Sequence, residues 1–167
     1  MASFNAERND PLVAWVPKDH PRVKDGFYPL KDFETEPYIE TYPGQKTDNE
    51  RAFRENGLSP HGQFLSVDIQ ATRAMVAAGL GVSLCNSILA HGLDLKGIAE
   101  LETRPRCEVE IGIAAPRKAD RSPAAEGFLR FSLNTLPSIH CWTSVAGSPQ
   151  LTDERTTQDL PSVPNHI

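Results

Sequence analysis

Residues 68–84, DIQATRAMVAAGLGVSL, decide the fold. Asp68 can cap a helix by accepting a free backbone N–H at its start. Ile69, Thr72 and Val76 then fall at i, i+3 and i+7, on one face of that helix, and Gly79 ends it. Residues 81–84, GVSL, follow at once as a short buried strand. A capped amphipathic helix that runs straight into an apolar strand is a repeating unit of α/β folds.

Working upstream, residues 63–67 read as a strand. Before them, Thr47 and Glu50 form T-x-x-E, a capping box at the head of the helix DNERAFREN. Gly57 suits its C-cap, and Leu58 can pack back on the last turn. Residues 37–42 alternate as a strand does, and Pro43 and Gly44 break it. Residues 30–33 look like one helical turn. Residues 17–29, PKDHPRVKDGFYP, hold three prolines and a Lys-Asp-Gly turn, which mark an extended surface connection. PLVAWV at 11–16 reads as a buried strand, and residues 1–9 as a frayed polar end.

Downstream, residues 86–91 suggest a short helix closed by Gly92, and 95–101 and 109–115 suggest strands. Ser122 is an N-cap with Pro123 at the first helical position. Phe128, Leu129, Leu133 and Leu136 then form an apolar stripe, and Pro137 stops the helix. Residues 137–167 are rich in Ser, Thr, Pro, Asp and Gln without a period, and a disordered tail is expected there. Strands alternating with helices predict an α/β fold with a mainly parallel sheet.

Composition narrows the function. The 167 residues carry a net charge of −5, which gives no sign of the basic face that nucleic-acid binders present. No apolar run approaches the roughly 20 residues of a membrane span. The first thirty residues have no apolar core of a signal peptide, so a cytoplasmic location is expected and no membrane partner. Cys85, Cys107 and Cys141 are odd in number and far apart, forming neither a disulfide framework nor a CxxC motif. His20, His61, His91, His140 and His166 fall in predicted turns or the tail, none at metal-ligand spacing. The segment GVSLC is not a G-x-S-x-G elbow, and Gly79-Leu-Gly81 lacks a third glycine. No catalytic residue, metal or cofactor is therefore expected, and the chain does not read as an enzyme.

Five blocks in order carry a resemblance: DPLVAWVPKDHP (10–21), LKDFETEPYI (30–39), TDNERAFRENGLSP (47–60), DIQATRAMVAAGLGVSL (68–84) and EIGIAAPRKADRSPAAEGFLRF (110–131). Together they resemble the effector-binding domain of LysR-type transcriptional regulators, over about residues 7–135. The resemblance implies a periplasmic-binding-protein-like (type 2) α/β fold of two lobes joined by crossing strands. It further implies a partial effector domain at 10–136. Within it, 18–106 form a complete second lobe, and 10–17 and 107–136 form the crossing strands and a remnant of the first lobe. The family's winged helix-turn-helix, linker helix and most of the first lobe have no counterpart in these residues. Where the family often reads Leu-Pro after GLGVSL, this chain has Cys85-Asn86.

The resemblance implies that a small effector is held by Pro43, Gly44, Gln45, Lys46 and Thr47. A loop entering a helix N-terminus favours an anion, and Lys46 adds a positive charge, so a carboxylate-bearing metabolite is the natural guess. The alternative is that Thr47 only caps its helix and Lys46 points to water. Val67 and Asp68 lie at a strand-to-helix junction, a ligand edge in open α/β sheets, although Asp68 can equally be a plain N-cap. Trp15 could line the cleft or sit in the core. Ile113, in the returning strand, could touch the effector from below. The helix at 48–56 could pair with another copy or with an intact regulator subunit through Arg51, Arg54 and Glu55, or be a solvated face. DNA would be reached only through a domain absent from these residues. Two other readings stand beside this one: a stand-alone small-molecule binding module, and a non-functional gene remnant. In the last, Phe128, Leu129 and Leu133 would lack the lobe they should face.

Overall fold

The computed structural model describes residues 2–90, 93–116 and 118–135, with side chains from residue 9 onward in these ranges except at 118. The tail at 137–167, the end of the stripe at Leu136, the stop at Pro137 and the closing Gly92 lie outside the described residues. The chain forms two compact units. One is Asp10–Val109; the other comprises Met1–Asn9 and Glu110–Ile167.

The first unit contains most of the sheet. The strands are β1 (Ala2–Pro17), β2 (Phe27–Pro29), β3 (Tyr38–Thr41), β4 (Gly62–Ser66), β5 (Ser83–Asn86), β6 (Ile98–Arg104) and β7 (Glu108–Pro116). The helices are α1 (Asp48–Glu55), α2 (Ile69–Ala77), α3 (Ser87–Ala90) and α4 (Pro123–Thr135). The main sheet runs β2-β6-β1-β5, and β7 also pairs with β1. β3 and β4 pair in parallel, and a parallel bridge from Tyr38 to Val82 links β3 to the edge of β5. β2 is parallel to β6, while β1 is antiparallel to both β5 and β6. The expected parallel arrangement therefore holds for β2 to β6, with β1 set against them in the middle. Its residues Leu12 to Val16 are all buried, as a central strand covered on both faces must be.

Alternation divides the core in two. Val13 and Trp15 of β1 pack with Ile39, Val76, Cys85 and Ile98. Tyr28, Phe33, Tyr38 and Phe53 form a second cluster, with ring centroids 4.8–5.6 Å apart in tilted and edge-on pairs.

The segment at 68–84 folds as its residues dictate. The Asp68 carboxylate accepts the N–H of Ala71 at 2.8 Å and caps α2. Thr72 and Val76 are fully buried. Gly79 adopts a φ of +77°, which a side chain would resist. Gly81 has a different task. A Cβ there would lie 2.2 Å from the Pro37 carbonyl oxygen, so only glycine lets β5 approach β3 this closely.

Two expectations change. Residues 2–9 are not a frayed end: they extend β1, because β7 supplies a pairing partner about a hundred residues away in sequence. The extended connection at 17–29 contains a 3-10 turn, Pro21–Lys24, and the short strand β2. His20 accepts the Arg22 N–H at the head of that turn, and Arg22 forks onto Asp32 at 2.6 and 3.0 Å.

In the second unit, Ser122 caps α4 by accepting the Ala125 N–H at 3.2 Å. Leu129 is buried, whereas Phe128 and Phe131 are 65% and 66% exposed. The predicted stripe is thus split, with Phe128 on the open side. No helix among the described residues is long and apolar enough to cross a membrane.

Candidate functional site

β3 and β5 point their C-terminal ends to the same place, and α1 begins beside them. Thr47 Oγ1 accepts the Glu50 N–H at 3.2 Å, the first half of the capping box. The Glu50 carboxylate leans instead toward Arg54, 3.9 Å away along the helix. At the other end, Gly57 and Leu58 N–H groups return to the carbonyls of Arg54 and Phe53 at 3.1 and 2.9 Å, closing a Schellman motif. Asn49 fixes the helix start to the sheet, donating from Nδ2 to the Leu84 carbonyl at 2.7 Å.

A hollow of about 250 Å³ opens at this junction. Lys46, Thr47, Asp48, Asn49 and Asn86 line it, together with Tyr42, Ile69 and Leu89. Tyr42 has a φ of +60°, an uncommon conformation for a bulky residue; its N–H donates to the Ser66 carbonyl at 2.7 Å. Behind the hollow, Thr41 and Thr72 share a hydrogen bond of 2.9 Å.

The structure brings some sequence-predicted site residues here and sends others elsewhere. Lys46 and Thr47 line the hollow. Pro43 is half-buried, and Gly44 and Gln45 are exposed on the same loop. Val67 is 76% exposed at the end of β4, and Asp68 acts as the cap of α2. Ile113 is half-buried in β7, in the other unit. Trp15 takes the core role rather than the cleft-lining one: it is fully buried, and its Nε1 donates to Glu100 at 3.4 Å.

Tyr42, Asn49, Asn86 and Leu89 were missed by sequence reasoning. Asn86 carried a signal, since it stands where the family often has proline. Without that proline, α3 starts on a different device. Both oxygens of the buried Asp10 accept the Ile88 N–H at 3.1 Å. On α1, Arg51 pairs with Asp48 at 3.0 Å and Arg54 lies 3.9 Å from Glu50, so the two arginines suggested as interface groups are met by acids of their own helix.

The two thiols among the described residues, Cys85 and Cys107, are quiet. Burial pushes the Cys85 pKa well above 9, helped by Glu100 and Asp10. Burial also raises Cys107, against a lowering contact from Asn56. Neither environment favours the reactive thiolate.

Comparison with known proteins gives the family. The LysR substrate binding domain matches residues 6–137. The HTH-type transcriptional regulator YvbU of Bacillus subtilis is 25% identical over 126 residues, covering 75% of this chain and 43% of YvbU. The chain thus spans less than half the length of that relative. The regulatory domain of CcmR from Synechocystis PCC6803, solved with 2-PG, superposes with a TM-score of 0.63 at 15% identity, over 79% of this chain and 67% of that one. The effector binding domain of QuiR, solved with shikimate, gives 0.59 at 23% identity, over 79% and 62%. These two share the fold. With the family match covering most of its length, the chain belongs to the LysR substrate-binding domain family.

Proposed function

We propose that these residues are the effector-sensing part of a LysR-type transcriptional regulator, and that they hold a small carboxylate at the hollow beside α1. The observation that carries this reading is the convergence of Lys46, Thr47 and the α1 N-terminus on the C-terminal ends of β3 and β5. Ligands of open α/β sheets bind at such ends, and free N–H groups with a nearby ammonium suit an anion. Val67 and Asp68 are proposed as outlying contacts. DNA is contacted through a domain outside these residues, so the isolated chain should fail to shift operator DNA in a gel. A homo-oligomer, or a pair with an intact regulator subunit, would form along α1 and the edge strand β4, where Leu65 stands 61% exposed. Sedimentation of the chain against Leu65→Arg tests that contact.

Titrating the chain with pooled small carboxylates by calorimetry tests the main reading. Heat that disappears in Lys46→Ala supports it; heat unchanged by that substitution refutes the assigned site. The same titration bears on the stand-alone binding module, which tight binding by the isolated chain would favour.

A further inference from the structure

We propose that His20 is a pH-operated clasp. When neutral, its ring ties the turn Pro21–Lys24 to Glu36, just past a second 3-10 turn, Leu30–Glu34; when protonated, it lets the first turn go. None of the residues involved lines the hollow beside α1.

The two ring nitrogens have opposite tasks. Nδ1 accepts the backbone N–H of Arg22 at 3.2 Å and caps the turn. A backbone N–H can only donate, so Nδ1 carries no proton and the ring proton sits on Nε2. Nε2 lies 2.8 Å from Glu36 Oε2 and donates to it. The neutral ring is therefore committed to one tautomer. A second proton can enter only at Nδ1, where it faces the Arg22 N–H as one donor against another, and the cap bond is lost. The same proton gives the ring a full charge beside Glu36 and strengthens that contact. The ring thus holds the turn and Glu36 when neutral, and Glu36 alone when charged.

Beside the ring lies Tyr28 of β2, an edge strand of the main sheet, with the two centroids 6.0 Å apart. The Tyr28 hydroxyl is buried without a partner of hydrogen-bond geometry, and Glu36, Asp32 and Arg22 are the charged groups that act on it. A buried hydroxyl left unpaired favours opening to water. The Arg22 guanidinium also reaches Asp25 at 3.0 Å and Asp32 at 2.6 Å. With the cap gone, those side-chain contacts are left to hold the turn.

Nuclear magnetic resonance of the nitrogen-15-labelled full chain tests the clasp between about pH 8 and about pH 5, where histidine is the side chain that ordinarily changes charge. At the upper end the ring is expected to show a bare Nδ1 and a protonated Nε2. As the ring titrates, the Arg22 amide should shift in step with it and lose about tenfold in protection from hydrogen exchange, the worth of one hydrogen bond. His20→Asn keeps an acceptor near the Nδ1 position and does not titrate, so its Arg22 amide should stay protected across the range. A proton on Nδ1 at the upper end, an Arg22 amide equally protected at both ends, or an acid loss of protection that persists in His20→Asn would each overturn the clasp. The first two are read on the parent chain and need no variant to fold.

Discussion

Substituting Gly81 by alanine is expected to destabilise the chain by about 2–3 kcal/mol, although it adds a single methyl group. The new Cβ would stand 2.2 Å from the Pro37 carbonyl oxygen and 3.0 Å from its carbon. Both are backbone atoms, so no side chain can swing away, and β5 must withdraw from β3. Three hydrogen bonds cross that seam. Val82 N–H donates to Pro37 at 2.9 Å, Ile39 N–H donates to Val82 at 2.9 Å, and Ser83 Oγ donates to the Ile39 carbonyl at 2.9 Å. At about 1 kcal/mol each they total about 3 kcal/mol. The reduced freedom of the unfolded chain returns about 0.4–1 kcal/mol. Urea unfolding followed by far-UV circular dichroism measures the difference, with Gly79→Ala as the comparison. Gly79 has open space around its missing Cβ, and its loss should cost about 1–2 kcal/mol through the left-handed φ alone. A Gly81→Ala chain within about 0.5 kcal/mol of the parent would refute the close approach of the two strands.

Asp10→Ala should cost about 1–3 kcal/mol by stranding the Ile88 N–H, measured by the same unfolding curves. Because burial raises the Cys85 pKa, the folded chain keeps a proton that the unfolded chain releases. Stability is therefore full below about pH 9 and falls as pH climbs from there toward the folded value, and Cys85→Ala should flatten that fall. Phe128→Glu with Phe131→Glu should raise solubility in a precipitation assay and leave stability within about 0.5 kcal/mol, because both rings stand in water. A stability loss beyond about 2 kcal/mol would mean those rings are packed against something. Removing the residues after Arg117 should likewise improve solubility.

What could be read from the sequence was local. The caps at Thr47 and Asp68 and the ends at Gly57 and Gly79 each concern groups within one helical turn, and the structure forms all four. Lys46 and Thr47 were named through the family resemblance, since the local pattern alone read Thr47 as a plain cap. The rest depends on residues far apart in sequence. The strand at 2–9 needs β7, the Ile88 N–H needs Asp10, and the lining of the hollow draws Tyr42 from the loop after β3, Ile69 from α2 and Leu89 from α3. Trp15 read first as a core aromatic, and it is one; the facing of Ile113 stayed open because alternation along a strand does not say which face looks inward.

The reversed strand at the centre of the sheet sets the order in which this chain can fold. Val13 is flanked by Cys85 on one side and Glu102 on the other. During synthesis, β1 leaves the ribosome before the other strands of this unit and waits for about ninety more residues before both neighbours exist. Its apolar run stays unpaired throughout that interval, and closing so long a loop makes the step slow. Folding of the Asp10–Val109 unit should therefore finish late and in one step, after β6 is made, with the nascent chain open to aggregation or a chaperone until then.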